Sequence, residues 1–160
     1  MTVERVLEKL APLVGTWTTE ATHRLMPGVV IRGTAAFEWL EGRGFLIHRS
    51  RPDHPDFPQS IAMIGPADRD RVEGSSKGAP SAATGSRLSM HCFDSRGVHR
   101  VFEVNIDDET WRCWRDAPGF SQRFTVALAD GGDTIRVVAQ LCTDDVHWID
   151  DLELTYRRSK

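Results

Sequence analysis

The residues of this chain with the most obvious capacity for chemistry are its six histidines. They are His23, His48, His54, His91, His99 and His147. None forms an H-x-H or H-x-x-x-H pair, the spacings that bring two imidazoles to one metal ion, so the sequence predicts no zinc site. His48 and His91 fall inside predicted strands and are candidates for the wall of a cavity, although an ordinary core or surface position is the simpler interpretation.

The three cysteines offer a second source of reactivity. Cys92, Cys113 and Cys142 are odd in number, lie in strand-like stretches and lack C-x-x-C spacing, so we interpret them as small buried hydrophobes in a reduced compartment. A reactive thiol is the alternative. Ser95 is explained by a hairpin turn, so it gives little support for nucleophilic catalysis. The catalytic residues are therefore unknown, and whether the protein is an enzyme stays open.

The bulk composition excludes several partners. The chain has 160 residues, 40% hydrophobic and 27% charged, with a formal net charge of −3. This balance gives no electrostatic case for a nucleic acid or an anionic membrane as partner. No apolar run is long enough to span a bilayer, and Glu4 breaks the basic start of a secretory signal, so we expect a cytoplasmic protein. The length fits a single domain over residues 1–160.

The hydrophobic spacing predicts one short helix followed by many strands. Apolar residues recur every three or four positions over 3–13, and Pro12 and Gly15 end this stripe. After it the period changes to two, which is typical of antiparallel strands separated by tight turns. The predicted strands cover residues 15–23, 29–40, 43–51, 59–65, 87–94, 98–106, 110–115, 120–129, 133–142 and 146–157.

Residues 69–86 break this rhythm. They include four Ser, three Gly and a Pro, with Val72 as their single large apolar residue. A segment of this composition and length between two strands is predicted to be a flexible loop insertion, with a lid over a barrel mouth as the alternative.

Ten strands joined by hairpins favour a closed sheet. Closure removes the unpaired edges that an open sheet exposes, and a barrel of this size can hold a small ligand. The fold class predicted is therefore all-β, a single closed antiparallel β-barrel of about ten strands with a short N-terminal helix.

Alternation along the strands nominates the residues of a binding site. In 120–128, Gln122 and Phe124 share the apolar face, so Gln122 is a candidate polar group of the cavity. In 148–156, Trp148 and Asp150 share the face of Leu152, Leu154 and Tyr156. Aromatic side chains commonly line ligand cavities, so Trp114 and Trp148 are predicted as cavity walls.

A resemblance to a known superfamily adds to this interpretation. The helix followed by Gly15-Thr16-Trp17 resembles the G-x-W opening of calycins, the lipocalin-like barrels that include nitrobindin haem proteins. The resemblance implies that Trp17 crosses the closed end of the barrel and that a basic residue at the end of the last strand packs on it. Arg157 or Arg158 is placed to do this, and Arg157 is the assigned candidate.

Three further stretches resemble a bacterial family of calycins whose domain has no known function. They are Phe37-Glu38-Trp39-Leu40-Glu41-Gly42, Phe93-Asp94-Ser95-Arg96-Gly97-Val98 and Trp111-Arg112-Cys113-Trp114-Arg115-Asp116. The family supplies no activity, so this resemblance implies a fold and leaves the chemistry open.

Three functional hypotheses follow. The first is binding of a small, mostly apolar molecule in the barrel cavity. The second, implied by the nitrobindin resemblance, is a haem protein acting on reactive nitrogen or oxygen species, with His147 as the nearest candidate ligand to the iron. The third is an interaction module in which the barrel forms a homodimer. The cofactor is unknown under the first hypothesis and haem under the second.

Overall fold

The protein is an antiparallel β-barrel in a computed structural model that describes residues 2–67 and 87–160. The predicted insertion at 69–86 lies outside the described residues. The ten strands are β1 Gly15–His23, β2 Ile31–Trp39, β3 Leu46–Pro52, β4 Ser60–Pro66, β5 Leu88–Asp94, β6 His99–Ile106, β7 Thr110–Arg115, β8 Ser121–Ala129, β9 Thr134–Cys142 and β10 Ile149–Arg158. Each one was predicted, with ends that differ by no more than three residues.

Each strand pairs antiparallel with its neighbours in sequence, and the pairing of β1 with β10 closes the sheet. The predicted fold class is therefore confirmed. Tight turns make this meander possible, as the Asp94–Gly97 hairpin illustrates. Asp94 accepts hydrogen bonds from the backbone N–H of Arg96 at 2.9 Å, while Gly97 adopts a φ of 82°. That left-handed conformation suits glycine because it has no Cβ to clash.

A short N-terminal segment covers one end of the barrel, which we call the closed end. It consists of helix α1, Val3–Glu8, and a 3-10 turn, Ala11–Leu13. The helix is shorter than the predicted 3–13 because Pro12 has no N–H to donate and disfavours a helical residue before it. Among the described residues, no helix is long and apolar enough to cross a membrane.

The apolar side of this segment packs into the barrel. Val6, Leu7, Leu10 and Leu13 are buried and join the same core as Trp17. Trp17 is fully buried, and its indole Nε1 donates a hydrogen bond to the Leu13 carbonyl at 2.9 Å. The indole also meets the ring of Tyr156 edge to face, with 6.3 Å between centroids. Trp17 thus joins the covering segment to the barrel interior.

Arg158 packs on Trp17, and this corrects the assignment of Arg157. The Arg158 guanidinium lies 4.3 Å from the centroid of the Trp17 ring. Arg157, its neighbour on β10, points outward and pairs with Glu20 at 3.2 Å. Successive side chains of a strand face opposite sides of the sheet, so only one of the two could reach the indole.

The guanidinium of Arg158 also donates to three backbone carbonyls. These belong to Pro12 at 2.7 Å, Val14 at 3.0 Å and Gly132 at 3.0 Å. One side chain therefore connects the N-terminal segment, the β1–β10 seam and the turn between β8 and β9.

Replacing this arginine should destabilise the barrel much more than replacing its neighbour. We expect Arg158→Gln to lower the free energy of unfolding by about 2–4 kcal/mol, because the cation–π contact and charged hydrogen bonds are lost. The matched control Arg157→Gln removes an exposed ion pair and should cost less than about 1 kcal/mol. Urea denaturation measures both, and equal losses would contradict the role assigned to Arg158.

Candidate functional site

The barrel encloses a cavity of about 370 Å³. Leu10 and Leu13 bound it at the closed end, where they are 1% and 4% exposed. At the opposite end, which we call the open end, the wall includes the partly exposed residues Pro58, Val98 and Leu152. The change in exposure along the wall indicates that the cavity opens at this second end.

Most of the cavity wall is apolar or aromatic, and it is built by the inward residues of the strands. β6 contributes Phe102 and Val104, β8 contributes Phe124 and Val126, and β9 contributes Val137. Side chains alternate between the two faces of a strand, so these residues share the inward face of their strands. The inward residues of β6 and β8 could therefore be predicted from the sequence.

Three of the predicted ligand-binding residues line this cavity. They are His48 on β3 and Gln122 and Phe124 on β8. The other four, His91, Trp114, Trp148 and Asp150, lie on the outer surface. His91 is exposed beside His99, with 3.2 Å between Nδ1 and Nε2. Trp114 lies outward because β7 directs Trp111 and Cys113 inward.

A β-bulge explains the positions of Trp148 and Asp150. Asp150 pairs with Gln140 and Leu152 with Ala139, so Asp151 is an extra residue in β10. Asp150 and Leu152 are two residues apart, so regular alternation would place their side chains on the same face of the sheet. The extra residue interrupts this alternation, so the side chains that precede it point to the opposite face. Asp150 therefore accepts a hydrogen bond from Gln140 at 2.7 Å on the exterior. Trp148 stacks against Arg123, with 4.0 Å between its ring centroid and the guanidinium carbon.

His48 and Tyr156 form a polar pair on the cavity wall. His48 Nε2 and the Tyr156 hydroxyl lie 3.1 Å apart, and the imidazole stacks on Phe37 with 4.2 Å between centroids. Burial lowers the pKa of His48 to about 4 and raises the pKa of Tyr156 well above its usual value. Both groups are therefore uncharged at neutral pH.

Two thiols also face the cavity. Burial raises the pKa of Cys92 to about 11 and that of Cys113 to about 12. The interpretation of Cys113 as a small buried hydrophobe agrees with its 7% exposure. Since the thiolate is the nucleophile, both side chains are poor nucleophiles at neutral pH.

Among the described residues, the charged groups on the cavity wall, Asp94 and Arg100, lie at the open end. The Arg96 guanidinium donates to Asp94 at 2.7 Å and, with backbone hydrogen bonds, lowers the pKa of that carboxyl to about 2. Arg100 extends over the ring of Phe120, 5.1 Å from its centroid. Both Asp94 and Arg100 are partly exposed, so solvent screens them.

Two buried polar side-chain atoms, in residues that line the cavity, have no hydrogen-bond partner among residues 2–67 and 87–160. They are Nε1 of Trp111 and Oε1 of Gln122. Gln122 was predicted from the sequence as a polar group of the cavity, whereas Trp111 was not predicted as a lining residue. The alternation along β7 could have identified Trp111. One face of this strand carries Trp111 and Cys113, which are both apolar, whereas the other carries the charged Arg112, so the first face was the better candidate for the interior.

The residues present do not fit the predicted haem ligation. His147 lies in the exposed turn before β10, with 78% of its side chain accessible and Nδ1 2.7 Å from the Asp144 carboxylate. His48 is the histidine that lines the cavity within the described part of the chain, but its Nε2 contacts Tyr156. In the same residues no cluster of three or more His, Cys, Asp or Glu side chains could hold a metal ion.

Comparison with known proteins supports the fold alone. No family model matches the chain, and no curated protein matches it. A crystal structure of Rv2717c from M. tuberculosis is similar, with a TM-score of 0.60 and 12% identity over 97% of this chain and 98% of that one. A redesigned β-barrel has a TM-score of 0.41 and 10% identity over the whole of both chains. At such identity, the similarity to Rv2717c extends to the ten-stranded barrel and no further.

Burial of His48 should make stability depend on pH. Between about pH 6.5 and pH 4 the unfolded chain binds a proton at this position and the folded protein does not. Lowering the pH through this window should therefore reduce the free energy of unfolding, by on the order of 3 kcal/mol from this group. We expect His48→Asn to flatten the slope, as measured by denaturation at a series of pH values.

Tyr156→Phe is the matched control for this measurement. It removes the hydrogen-bond partner of His48 but keeps the imidazole buried, and burial is the cause of the shifted pKa. The slope should therefore persist in Tyr156→Phe. A slope that is unchanged in His48→Asn would show that the imidazole is not the group responsible.

Proposed function

We propose that the protein binds a small, mostly apolar molecule inside the barrel. The observation that supports this most directly is the cavity of about 370 Å³, closed at one end and accessible at the other. Its volume falls within the range of small-molecule sites, roughly 300–1,000 Å³, and its mostly apolar wall with a few polar groups is typical of them.

The electrostatics of the wall favour an uncharged ligand body. His48, Tyr156, Cys92 and Cys113 are all neutral near pH 7 because burial disfavours their charged forms. None of them is poised as a nucleophile or as a general base at that pH. The arrangement therefore suits retention of a ligand better than its chemical conversion.

The assignment of this barrel to the calycin superfamily is also part of the proposal. We propose a calycin-type barrel, and the contact of Arg158 with Trp17 supports it because the resemblance implied a basic residue on this indole. A cytoplasmic location, a small hydrophobic molecule as partner, and homodimer formation stay predictions.

Filling the cavity should abolish binding. Ala62 lies on the wall between His48 and Cys92 on the neighbouring strands, so Ala62→Phe places a ring in the middle of the cavity. We expect this variant to retain the barrel but to lose the molecules that native mass spectrometry detects on the wild-type protein, or that solvent extraction recovers from it.

Ala36→Phe is the matched control, since Ala36 on β2 faces away from the buried residues Ala35 and Phe37. It should bind like the wild-type protein. Should Ala62→Phe unfold, the smaller Ala62→Leu provides the same test. Equal binding by the Ala62 and Ala36 variants would contradict a site inside the barrel.

A further inference from the structure

A pair of histidines lies on the outer surface of the barrel. His91 on β5 and His99 on β6 are both exposed, and Nδ1 of the first lies 3.2 Å from Nε2 of the second. In the register of the two strands His91 is opposite Val101 and His99 is opposite Phe93, so the two imidazoles meet on the diagonal. Because each histidine belongs to a different strand, spacing along the sequence could not reveal this pair.

The separation of the two nitrogens is close to that of two ligands in a zinc site. Zn–N bonds of about 2.0–2.1 Å at a tetrahedral angle place the ligand nitrogens about 3.3–3.4 Å apart. Neutral imidazole is a favourable zinc ligand. In the pair as it stands, one nitrogen donates its proton to the other. Zinc binding therefore requires this proton to move, through solvent, to the second nitrogen of the same ring.

Stacking orients the rings of this pair. The imidazole of His99 lies nearly parallel to the ring of Phe93, with 4.4 Å between centroids and 12° between planes. The rings of His91 and His99 are inclined to each other by 25°. A side chain that is already held near its binding geometry loses less conformational entropy when a ligand arrives. The two imidazoles are therefore partly preorganised to bind one metal ion.

The pair supplies half of a zinc coordination sphere. Zinc in structural sites takes four protein ligands. Among residues 2–67 and 87–160, no third His, Cys, Asp or Glu joins these two histidines in a cluster that could hold a metal ion. Two copies of the chain related by a twofold axis would bring two identical pairs together. Four imidazoles would then complete the sphere.

The surroundings of the pair suit contact with a second copy. Its direct cross-strand neighbours are all apolar, since Met63 and Val101 flank His91 and Phe93 lies beside His99. Phe93 and Val101 are 42% and 43% exposed. A contact centred on the histidines would therefore remove apolar surface from water as well as complete the coordination of the metal.

We propose that zinc joins two copies of this protein through His91 and His99 of each copy, with Phe93 and Val101 packed around the metal. Four imidazoles in a tetrahedral arrangement favour zinc over divalent copper, which prefers a square-planar arrangement. This site is on the exterior of the sheet, so the inference is independent of the ligand proposed for the cavity.

Sedimentation of the protein without a polyhistidine tag tests this site. After treatment with a chelator the protein should be a monomer, and added zinc should convert it to a dimer with one zinc ion for every two chains. His91→Gln and His99→Gln each remove two of the four ligands, so either should weaken zinc-dependent dimerisation at least about a hundredfold. His147→Gln changes an exposed histidine beside Asp144 and should dimerise like the wild-type protein.

Two arginine substitutions test the contact around the metal. Val101→Arg places a cation directly opposite His91, where the second copy would pack. Val138→Arg makes the same change on β9, at a side chain that is 42% exposed against 43% for Val101. We expect the first variant to oppose zinc-dependent dimerisation and the second to leave it unchanged. Both positions are exposed, so both variants should retain the barrel, as measured by circular dichroism.

Four results would overturn the inference. The first is a protein that stays monomeric in excess zinc, whether or not it binds the metal one to one. The second is a dimer that the chelator does not dissociate. The third is dimerisation that is lost in His147→Gln and kept in His91→Gln, which would place the metal elsewhere. The fourth is an equal effect of Val101→Arg and Val138→Arg.

Discussion

The structure depends on the closure of the sheet between its first and last strands. β1 pairs with β10 over seven residues, from Trp17 with Arg158 to His23 with Leu152. Without this seam, ten strands would form an open sheet with two exposed edges and no interior. Trp17 and Arg158 are direct cross-strand neighbours at the start of the seam, where the guanidinium covers the indole and binds carbonyls of Pro12, Val14 and Gly132. The same contact therefore closes the barrel and holds the N-terminal segment over its end.

Closure also determines the electrostatic character of the interior. A charged group buried in the wall of the closed sheet pays a desolvation penalty, so the polar side chains there remain neutral. The shifted pKa values of His48, Cys92 and Cys113 all have burial as their main cause. Charge reappears at the open end, where Asp94 is partly exposed and has Arg96 beside it. This gradient from neutral to charged groups follows the long axis of the cavity.

Sequence was sufficient to predict the barrel but only part of its site. The strands were predictable because alternating apolar residues and turn glycines such as Gly97 are local signals, and each hairpin requires its neighbours to pair. The facing of β8 followed from the same period, so Gln122 and Phe124 were placed correctly on the wall. The failure at Trp148 and Asp150 has a physical cause, since the bulge at Asp151 shifts the period and nothing in the local sequence marks it. The pairing of His48 with Tyr156 joins residues far apart in the chain, and no periodicity encodes it.

The cavity exists because several inward positions carry small side chains. Ala62, Cys92 and Cys113 lie on its wall, at places where larger residues of the same face would project into the space. A filled interior would gain dispersion contacts and remove the cost of an unfilled volume, so stability alone favours larger residues there. An interior that forgoes packing is the expected consequence of a requirement other than stability, and the proposed occupancy by a ligand is a requirement that would account for it.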